Sequence, residues 1–354
     1  MRRPRFPASL HMTALTLAIA AVGAGLFWAL SAPVYMLLGP AIAVSVAGLC
    51  GMRTGIAPRL RDACFVLLGL GVGAGFDGDA LAAMLRWPLA FLLMAVVIWA
   101  IMAASQALLV RFFGFERRSA LLASAPGHLS FVIAMASDTG ADVARISITQ
   151  SVRLLSLTLL VPFLALAIGV EWSGSLAPPG DKMSALSLLA LVPPALALGW
   201  LFQRLSVPAP LLLGALTVSG LGHAGGLTPG VVPGWLILPA YLVLGALIGT
   251  RFSGMQPRQL LGGLGAGLAM TLVAMSFAGL GALPVAWALG MPLAHVLIAF
   301  APGGLETMIA MGAVLGVVPG FVAACHVARL LVLSILLPVM LAALRRETPR
   351  RSPG

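Results

Sequence analysis

Apolar stretches separated by short polar turns fill almost the whole chain. A helix needs about 20 residues, at a rise of about 1.5 Å each, to cross a bilayer. Six stretches are long and continuous: Ala14–Leu30, Leu89–Val110, Ile146–Ile168, Ala185–Phe202, Leu260–Leu283 and Phe321–Leu344. Six others are shorter or interrupted by glycine and proline: Val34–Leu49, Cys64–Gly75, Ala120–Met135, Pro210–Leu221, Trp235–Thr250 and Pro292–Leu315. The pattern predicts an all-α polytopic membrane protein with about 10–12 transmembrane segments.

The second half of the chain repeats the first. A-P-G-H-L at 125–129 returns as A-P-G-G-L at 301–305, and R-L-L at 153–155 returns at 329–331 with the same offset. Matched leucines would mean little in so apolar a chain, but matched proline, glycine and arginine indicate a duplication. We therefore predict four segments: a first membrane repeat at 1–170, an inter-repeat loop at 171–183, a second membrane repeat at 184–344 and a basic C-terminal tail at 345–354.

Composition excludes a water-solvated globular enzyme. The chain is 60% hydrophobic and 9% charged, whereas about a quarter of the residues in a soluble domain are charged. Lys and Arg number 21 against 10 Asp and Glu, a net charge of +11. In a soluble protein this excess would suggest nucleic acid, but the cytoplasmic loops of membrane proteins also collect Lys and Arg. No segment is soluble enough to form a DNA-reading helix, so we expect no direct nucleic-acid partner.

The arginine clusters predict the orientation of the two halves. With a cytoplasmic N-terminus, the clusters after the second and fourth stretches face the cytoplasm. If each A-P-G segment enters the membrane and returns, the basic residues of the second half also face the cytoplasm: Arg204, Arg251, Arg258, Arg345, Arg346, Arg350 and Arg351. We therefore predict about ten full crossings, two re-entrant or broken A-P-G helices, and antiparallel, inverted repeats.

The two A-P-G segments are the candidate binding site. Backbone breaks in hydrocarbon are tolerated only where protein or a water-filled cavity satisfies the freed polar groups. Paired breaks in two repeats are typical of the central site of a transporter. The alternative is tight helix packing, for which glycine is also common. The candidate residues at the breaks are Pro126, Gly127, Pro302, Gly303 and Gly304.

Several polar residues accompany the breaks. Glu306 follows the second break and could carry a proton, bind a cation, or lie solvated at a helix end. Arg153 and Arg329 occupy equivalent positions one helix later, and each could hold an anion, pair with Glu306, bind backbone carbonyls or reach the interface. Three further candidates for hydrogen bonding, with a buried structural role as the alternative, are His128, Gln150 and His326.

The remaining polar residues carry no recognisable chemistry. Asp138, Asp142 and Arg145 are expected in a solvated turn after the first break. The chain has three cysteines and five histidines without metal-ligand spacing, and it lacks Walker, dinucleotide and nucleophile-elbow motifs. We therefore expect no enzymatic activity, no catalytic residue, no metal site and no cofactor.

The motifs at the breaks resemble those of the bacterial AbrB-family membrane proteins. S-A-P-G-H-L at 124–129 and Q-S-V-R-L-L at 150–155 are similar to the first half of the family, and A-P-G-G-L-E-T-M at 301–308 with H-V-A-R-L at 326–330 to the second. The resemblance spans nearly the whole chain. The family usually places Glu directly before Met, whereas Thr307 stands there here; on a helix this turns the carboxylate by about 100°.

The resemblance implies several functions that differ in kind. Family members carry the labels "transcriptional regulator" and "ammonia monooxygenase", and the family looks related to inverted-repeat transporters. A copper monooxygenase needs a histidine cluster, which five scattered histidines do not supply. We expect a bacterial inner (plasma) membrane protein with cytoplasmic termini that moves or senses a small solute. The alternative is a membrane-embedded regulator of gene expression that acts indirectly. The bilayer and an unknown small solute are the expected partners, and a homo-oligomer stays open.

Overall fold

The structure is entirely helical apart from turns. A computed structural model describes residues 10–75, 87–126, 129–170 and 180–347. In these ranges the chain forms fourteen α-helices and a single 3-10 turn at Thr250–Phe252. Strand pairing within the described residues is limited to an isolated bridge between Lys182 and Val231. The predicted all-α class is confirmed.

The fourteen helices form two series of seven. The first series is α1 (Leu10–Ala29), α2 (Tyr35–Leu49), α3 (Pro58–Gly73), α4 (Pro88–Phe113), α5 (Arg117–Ser124), α6 (Leu129–Thr139) and α7 (Val143–Ala167). The second is α8 (Ala185–Arg204), α9 (Pro210–Ala224), α10 (Gly234–Gly249), α11 (Pro257–Leu289), α12 (Leu293–Phe300), α13 (Leu305–Val314) and α14 (Pro319–Glu347). Each helix of the second series begins at a nearly constant number of residues after its counterpart in the first series, apart from α4 and α11. For the helices on either side of the breaks, this separation equals the separation between the two A-P-G motifs.

Seven of the described helices are long and apolar enough to cross a bilayer: α1, α4, α7, α8, α10 with its 3-10 turn, α11 and α14. Six of them coincide with the six continuous apolar stretches of the sequence. Helices α2, α9 and α13 are shorter apolar helices of 15, 15 and 10 residues. Large apolar side chains such as Trp99 and Trp287 are exposed, as expected of a surface that faces lipid rather than water. The chain is thus a multi-pass membrane protein, while the predicted ten crossings and the inversion of the repeats stay predictions.

The chain divides into two compact units, and each unit combines helices from both series. Unit 1 comprises Met1–Arg86, Thr158–Pro257 and Leu305–Ala323. Unit 2 comprises Trp87–Leu157, Arg258–Gly304 and Ala324–Gly354. The units therefore do not coincide with the predicted repeats at 1–170 and 184–344, whose boundaries stay predictions. Of the predicted tail, residues 345–347 continue α14, and residues 348–354 lie outside the described residues, as do 171–179 of the predicted loop.

Unit 1 is built on reciprocal contacts between the two series. Gly69 of α3 lies against the Leu212 carbonyl of α9, and Gly245 of α10 lies against the Leu37 carbonyl of α2. Gly69 in the first series corresponds to Gly245 in the second, and Leu37 in the first corresponds to Leu212 in the second. Each glycine therefore contacts the counterpart of the leucine that the other glycine contacts. Such an exchange of partners is the pattern that a two-fold relation produces. Glycine is required at both positions because a Cβ atom would overlap the facing backbone.

The same equivalence extends to strained backbone in unit 1. Among the described residues, four non-glycine residues have positive φ: Ser31 (52°), Val34 (51°), Ser206 (57°) and Ala209 (47°). They form two pairs, 31 with 206 and 34 with 209, in the turns that lead into α2 and α9. Positive φ is costly for a β-branched residue such as valine, so the packing of α2 and α9 must hold these turns in place.

Unit 2 contains both A-P-G segments, together with α4, α5, α6, the part of α7 up to Leu157, α11, α12 and the part of α14 from Ala324. Helix α11 approaches α7 closely, since Gly263 lies against Ile148 and Gly267 against Val152. It also approaches α4, where Gly281 lies against Val97. These small residues bring α7, which carries Arg153, into a tightly packed environment.

Candidate functional site

The two predicted interruptions are present, and their backbone geometry is nearly the same. Helix α5 ends at Ser124, and Ala125 takes φ −62° and ψ 119°. Helix α12 ends at Phe300, and Ala301 takes φ −57° and ψ 121°. A residue that precedes proline is pushed out of the helical region by the proline ring, and both alanines precede proline in the sequence. The proline of each A-P-G segment therefore ends its helix locally.

Each break is buried. Pro126, Pro302 and Gly303 are all buried, and Gly304 is half-buried. The chain becomes helical again at Leu129 and at Leu305. Gly127 and His128, which the sequence also placed at the site, lie outside the described residues.

Arg153 lies against the end of α5. It is 3% exposed, and its guanidinium group donates from Nη1 to the Ser124 carbonyl at 3.5 Å and from Nη2 to the Ala125 carbonyl at 3.3 Å. Nη2 also donates to Oε1 of Gln150 at 2.8 Å. The last carbonyls of a helix have no partner within the helix, so Arg153 caps α5 from α7.

Gln150 completes this cap. Its amide Nε2 donates to the carbonyls of Leu122, Ala123 and Ala125 at 3.3, 3.1 and 2.9 Å. Residues 150 and 153 lie on the same side of α7 because positions three apart on a helix are neighbours. The two N–H groups of the side-chain amide are thus shared among three carbonyls at the first break, and its oxygen accepts from Arg153.

Arg329 holds the second break in the equivalent way. It is 2% exposed and donates from Nη1 to the Ala301 carbonyl at 3.3 Å and from Nη2 to the Gly303 carbonyl at 2.9 Å. His326, which corresponds to Gln150, is fully buried. The structure therefore brings Gln150 and Arg153 to the first break and Arg329 to the second, as the position of each residue in the repeat suggested.

The site carries unbalanced positive charge. Within unit 2, neither Arg153 nor Arg329 forms an ion pair with a described residue, and the Nε atom of each is buried without a hydrogen-bond partner. The two guanidinium charges interact with each other electrostatically. A buried charge that lacks an ion partner is strongly destabilising. Carbonyls at the ends of α5 and α12 offset this cost in part, because a helix C-terminus carries about half a negative charge.

Glu306 belongs to unit 1, unlike the two arginines. It is the second residue of α13 and half-buried. A carboxylate in the first turn of a helix is stabilised by the helix dipole and by unpaired N–H groups. This position agrees with one of the alternatives from the sequence, in which Glu306 lies solvated at a helix end. Its proton- or cation-binding role stays a prediction.

Arg145, expected in a solvated turn together with the exposed Asp138 and Asp142, is half-buried and has a capping role that the sequence did not show. It lies in the first turn of α7, and its guanidinium group donates to the Gly114 carbonyl at 3.1 Å and to the Phe113 carbonyl. The guanidinium also stacks on Phe115, 3.9 Å from the ring centre. Arg145 therefore caps the C-terminus of α4. Gly114, with positive φ at the end of a long apolar run, was the sequence signal for a helix end that needs a cap.

A second polar feature in unit 1 was also missed. A groove of about 570 Å³ is lined by residues that include Lys182, Ser187 and His223. The ring of His223 faces the Ser219 carbonyl at 2.7 Å and the Gly230 carbonyl at 2.8 Å. Among the described residues, no group of three or more His, Cys, Asp or Glu could hold a metal ion.

Comparisons with known proteins cover most of the chain. A family model described as "Transition state regulatory protein AbrB" matches residues 36–345. The chain is 28% identical over 249 residues to "Uncharacterized protein YhjN" of Bacillus subtilis (strain 168), in a match that spans 64% of this chain and 64% of that protein. It is 26% identical over 345 residues to "Putative regulator AbrB" of Escherichia coli (strain K12), covering 92% of this chain and 94% of that protein.

Proposed function

The chain belongs to the AbrB family, and for this multi-pass member we propose transporter-like binding of a small solute at the paired helix breaks of unit 2. The protein either moves this solute across the membrane or senses it. We also propose that it lies in the inner membrane with cytoplasmic termini and that it has no enzymatic activity. Its partners are then the bilayer and the solute.

One observation carries this proposal: two helices break at equivalent positions inside the same compact unit, and a buried arginine holds each break. Irregular backbone at membrane depth is stable only when it is enclosed in protein or lines a cavity. Transporters bind their substrates at paired helix breaks of this kind, where carbonyl and amide groups are left without helical partners. Simple helix packing needs small residues but needs neither breaks nor buried arginines.

The second candidate is a membrane-embedded regulator that affects gene expression indirectly. The name of the Escherichia coli relative and the description of the family model favour it, because both contain the word regulator or regulatory. Such a protein would bind the solute at the same breaks and pass the signal to another protein. Both candidates therefore use the same binding site, and they differ in whether the solute crosses the membrane.

Uptake into proteoliposomes tests the proposal. Purified protein is reconstituted and offered a panel of labelled solutes: acetate, succinate, phosphate, sulfate, ammonium and neutral amino acids. We expect at least one of them to accumulate above the level in protein-free liposomes. The variant Pro302→Ala should lower this uptake, because a proline inside a helix costs about 3 kcal/mol and its loss favours a continuous helix across the break.

Pro284→Ala is the matched control. Pro284 lies exposed inside the unbroken helix α11, so its replacement changes a proline without changing a break. Uptake in this variant should equal that of the wild type. If no solute accumulates but one binds and changes gene expression in cells, the regulator is correct. If no solute binds at all, both candidates fail.

A further inference from the structure

We propose that the solute is a small anion, a carboxylate or a tetrahedral oxyanion, bound between Arg153 and Arg329. This inference rests on the proposed function and names the substrate class of the same site. It follows from the charge of the site, from the unused donors of the two guanidinium groups, and from their burial in one unit.

The charge of the site requires a negative partner. The two guanidinium groups carry two positive charges and interact with each other. The C-termini of α5 and α12 supply about half a negative charge each, which offsets about one of the two. No acidic side chain among the described residues of unit 2 pairs with either arginine. About one positive charge is left, which a monovalent anion neutralises and a divalent anion exceeds by about one charge. A cation would instead add to the repulsion.

The donors of the site are also incompletely used. Arginine has five N–H groups in a planar fork. The bonds of Arg329 go to the Ala301 and Gly303 carbonyls, and those of Arg153 go to two carbonyls and to Gln150. Both Nε–H groups are buried without a partner. A guanidinium group binds carboxylates and phosphates through two parallel N–H bonds, so an anion satisfies donors that the protein itself leaves open.

The burial of the site selects a small ligand. Both arginines are nearly inaccessible, at 3% and 2% exposure, so an anion must lose its hydration shell on binding. Surface arginines would bind phosphate groups of many sizes without this restriction. A fully enclosed pair of guanidinium groups instead favours a compact anion whose oxygen atoms take the place of water.

Anion-dependent stability of the purified protein tests the inference. The wild type in lipid-free dodecyl maltoside is heated with sodium acetate, succinate, sulfate or phosphate, at an ionic strength held constant with a bulky sulfonate buffer. Potassium and ammonium salts of that buffer form the cation series. We expect a saturable rise in the unfolding midpoint with at least one of the four anions and no rise with either cation. Calorimetry then gives the affinity of that anion.

Variants separate anion binding from helix capping. Arg153→Gln and Arg329→Gln should each weaken the anion at least about tenfold, and the corresponding lysine variants, which keep the charge, should weaken it less. Arg145→Gln is the matched control, since Arg145 caps the end of α4 in the same unit but is only half-buried and stacks on an aromatic ring. Its affinity for the anion should equal that of the wild type.

The results that overturn the inference differ from those that overturn transport. If no anion stabilises the wild type, or if a cation does so instead, the anion site is wrong even when the glutamine variants fail to fold. If Arg329→Gln and Arg145→Gln bind the anion equally well, it is also wrong. An anion that binds without crossing the proteoliposome membrane upholds the anion site and refutes transport. Pro302-dependent uptake of ammonium or of a neutral solute upholds transport and refutes the anion site.

Discussion

Replacing Arg329 with methionine should destabilise the protein about as much as the same replacement at Arg153. Methionine keeps much of the apolar stem but removes the charge and all donors. The relief from removing a buried charge is similar at the two positions, because the arginines are 2% and 3% exposed. It therefore cancels in the comparison. The difference in the free energy of unfolding then reports the carbonyls that each variant leaves without a partner.

The magnitude follows from the bonds at the two breaks. Without Arg153, the Ala125 carbonyl still accepts from Gln150 at 2.9 Å and the lost bond to Ser124 is long, at 3.5 Å, but the buried Oε1 of Gln150 loses its 2.8 Å bond. Without Arg329, the Gly303 carbonyl loses its 2.9 Å bond, while Ala301 keeps a bond from the Gly303 N–H. A buried carbonyl without a partner costs about 1–3 kcal/mol. Each variant leaves one such oxygen without its bond, the Gly303 carbonyl or Oε1 of Gln150, so we expect the two costs to agree within about 2 kcal/mol, the spread of that cost.

Equilibrium unfolding in mixed detergent–dodecyl sulfate micelles, followed by circular dichroism, measures this difference. The double variant Gln150→Met with Arg153→Met also removes the bonds from Gln150 to the carbonyls of α5 and should be less stable than either single variant. Arg145→Met serves as a reference for a cap that water can replace, with an expected cost of about 1 kcal/mol. A difference above about 2 kcal/mol between the two single arginine variants would refute this reasoning, as would a double variant no less stable than Arg153→Met.

Two further predictions concern packing and topology. Gly69→Ala and Gly245→Ala should each lower the free energy of unfolding by about 1–3 kcal/mol, because the new Cβ overlaps a facing backbone. Gly25→Ala, with open space around it, should be neutral or slightly stabilising in the same unfolding assay; equal costs at all three positions would contradict the close approach. A membrane-impermeant maleimide should reach the exposed Cys50, at the end of α2, from the cytoplasmic side. In a Cys50→Ser background, it should reach Gly225→Cys, at the equivalent end of α9, from the opposite side. Labelling of both from one side would show parallel repeats.

The helices themselves could be predicted from the sequence because their signals are local. An apolar run of sufficient length forms a helix wherever it lies in a bilayer, and all six continuous stretches did so. The ends at Ser124 and Phe300 followed from the proline two residues later, since a proline restricts the residue before it. The sequence placed Arg153 and Arg329 inside apolar runs but left open whether they are buried or reach the interface.

The partners depend on contacts between distant parts of the chain. Arg153 and Arg329 bind carbonyls 26–29 residues away. The sequence left four alternatives for the two guanidinium groups, namely an anion, Glu306, backbone carbonyls or the membrane interface, and it did not distinguish them. Arg145 looked like a turn residue because its partners, 31 and 32 residues away, are backbone atoms that have no sequence signature. Glycine at 69 and 245 was visible as a repeated letter, but only packing revealed the backbone that each glycine faces.

The sequence by itself determined a helical membrane protein of the AbrB family, the position of its helices and the two breaks, because hydrophobic runs, proline and glycine act on their immediate neighbours. The tertiary structure alone decided which groups meet. It places Arg153 and Arg329 in one unit with two helix ends and Glu306 in another, since side-chain partners are set by which helices pack together. The pattern of apolar and polar positions along the chain fixes each helix but leaves those pairings open.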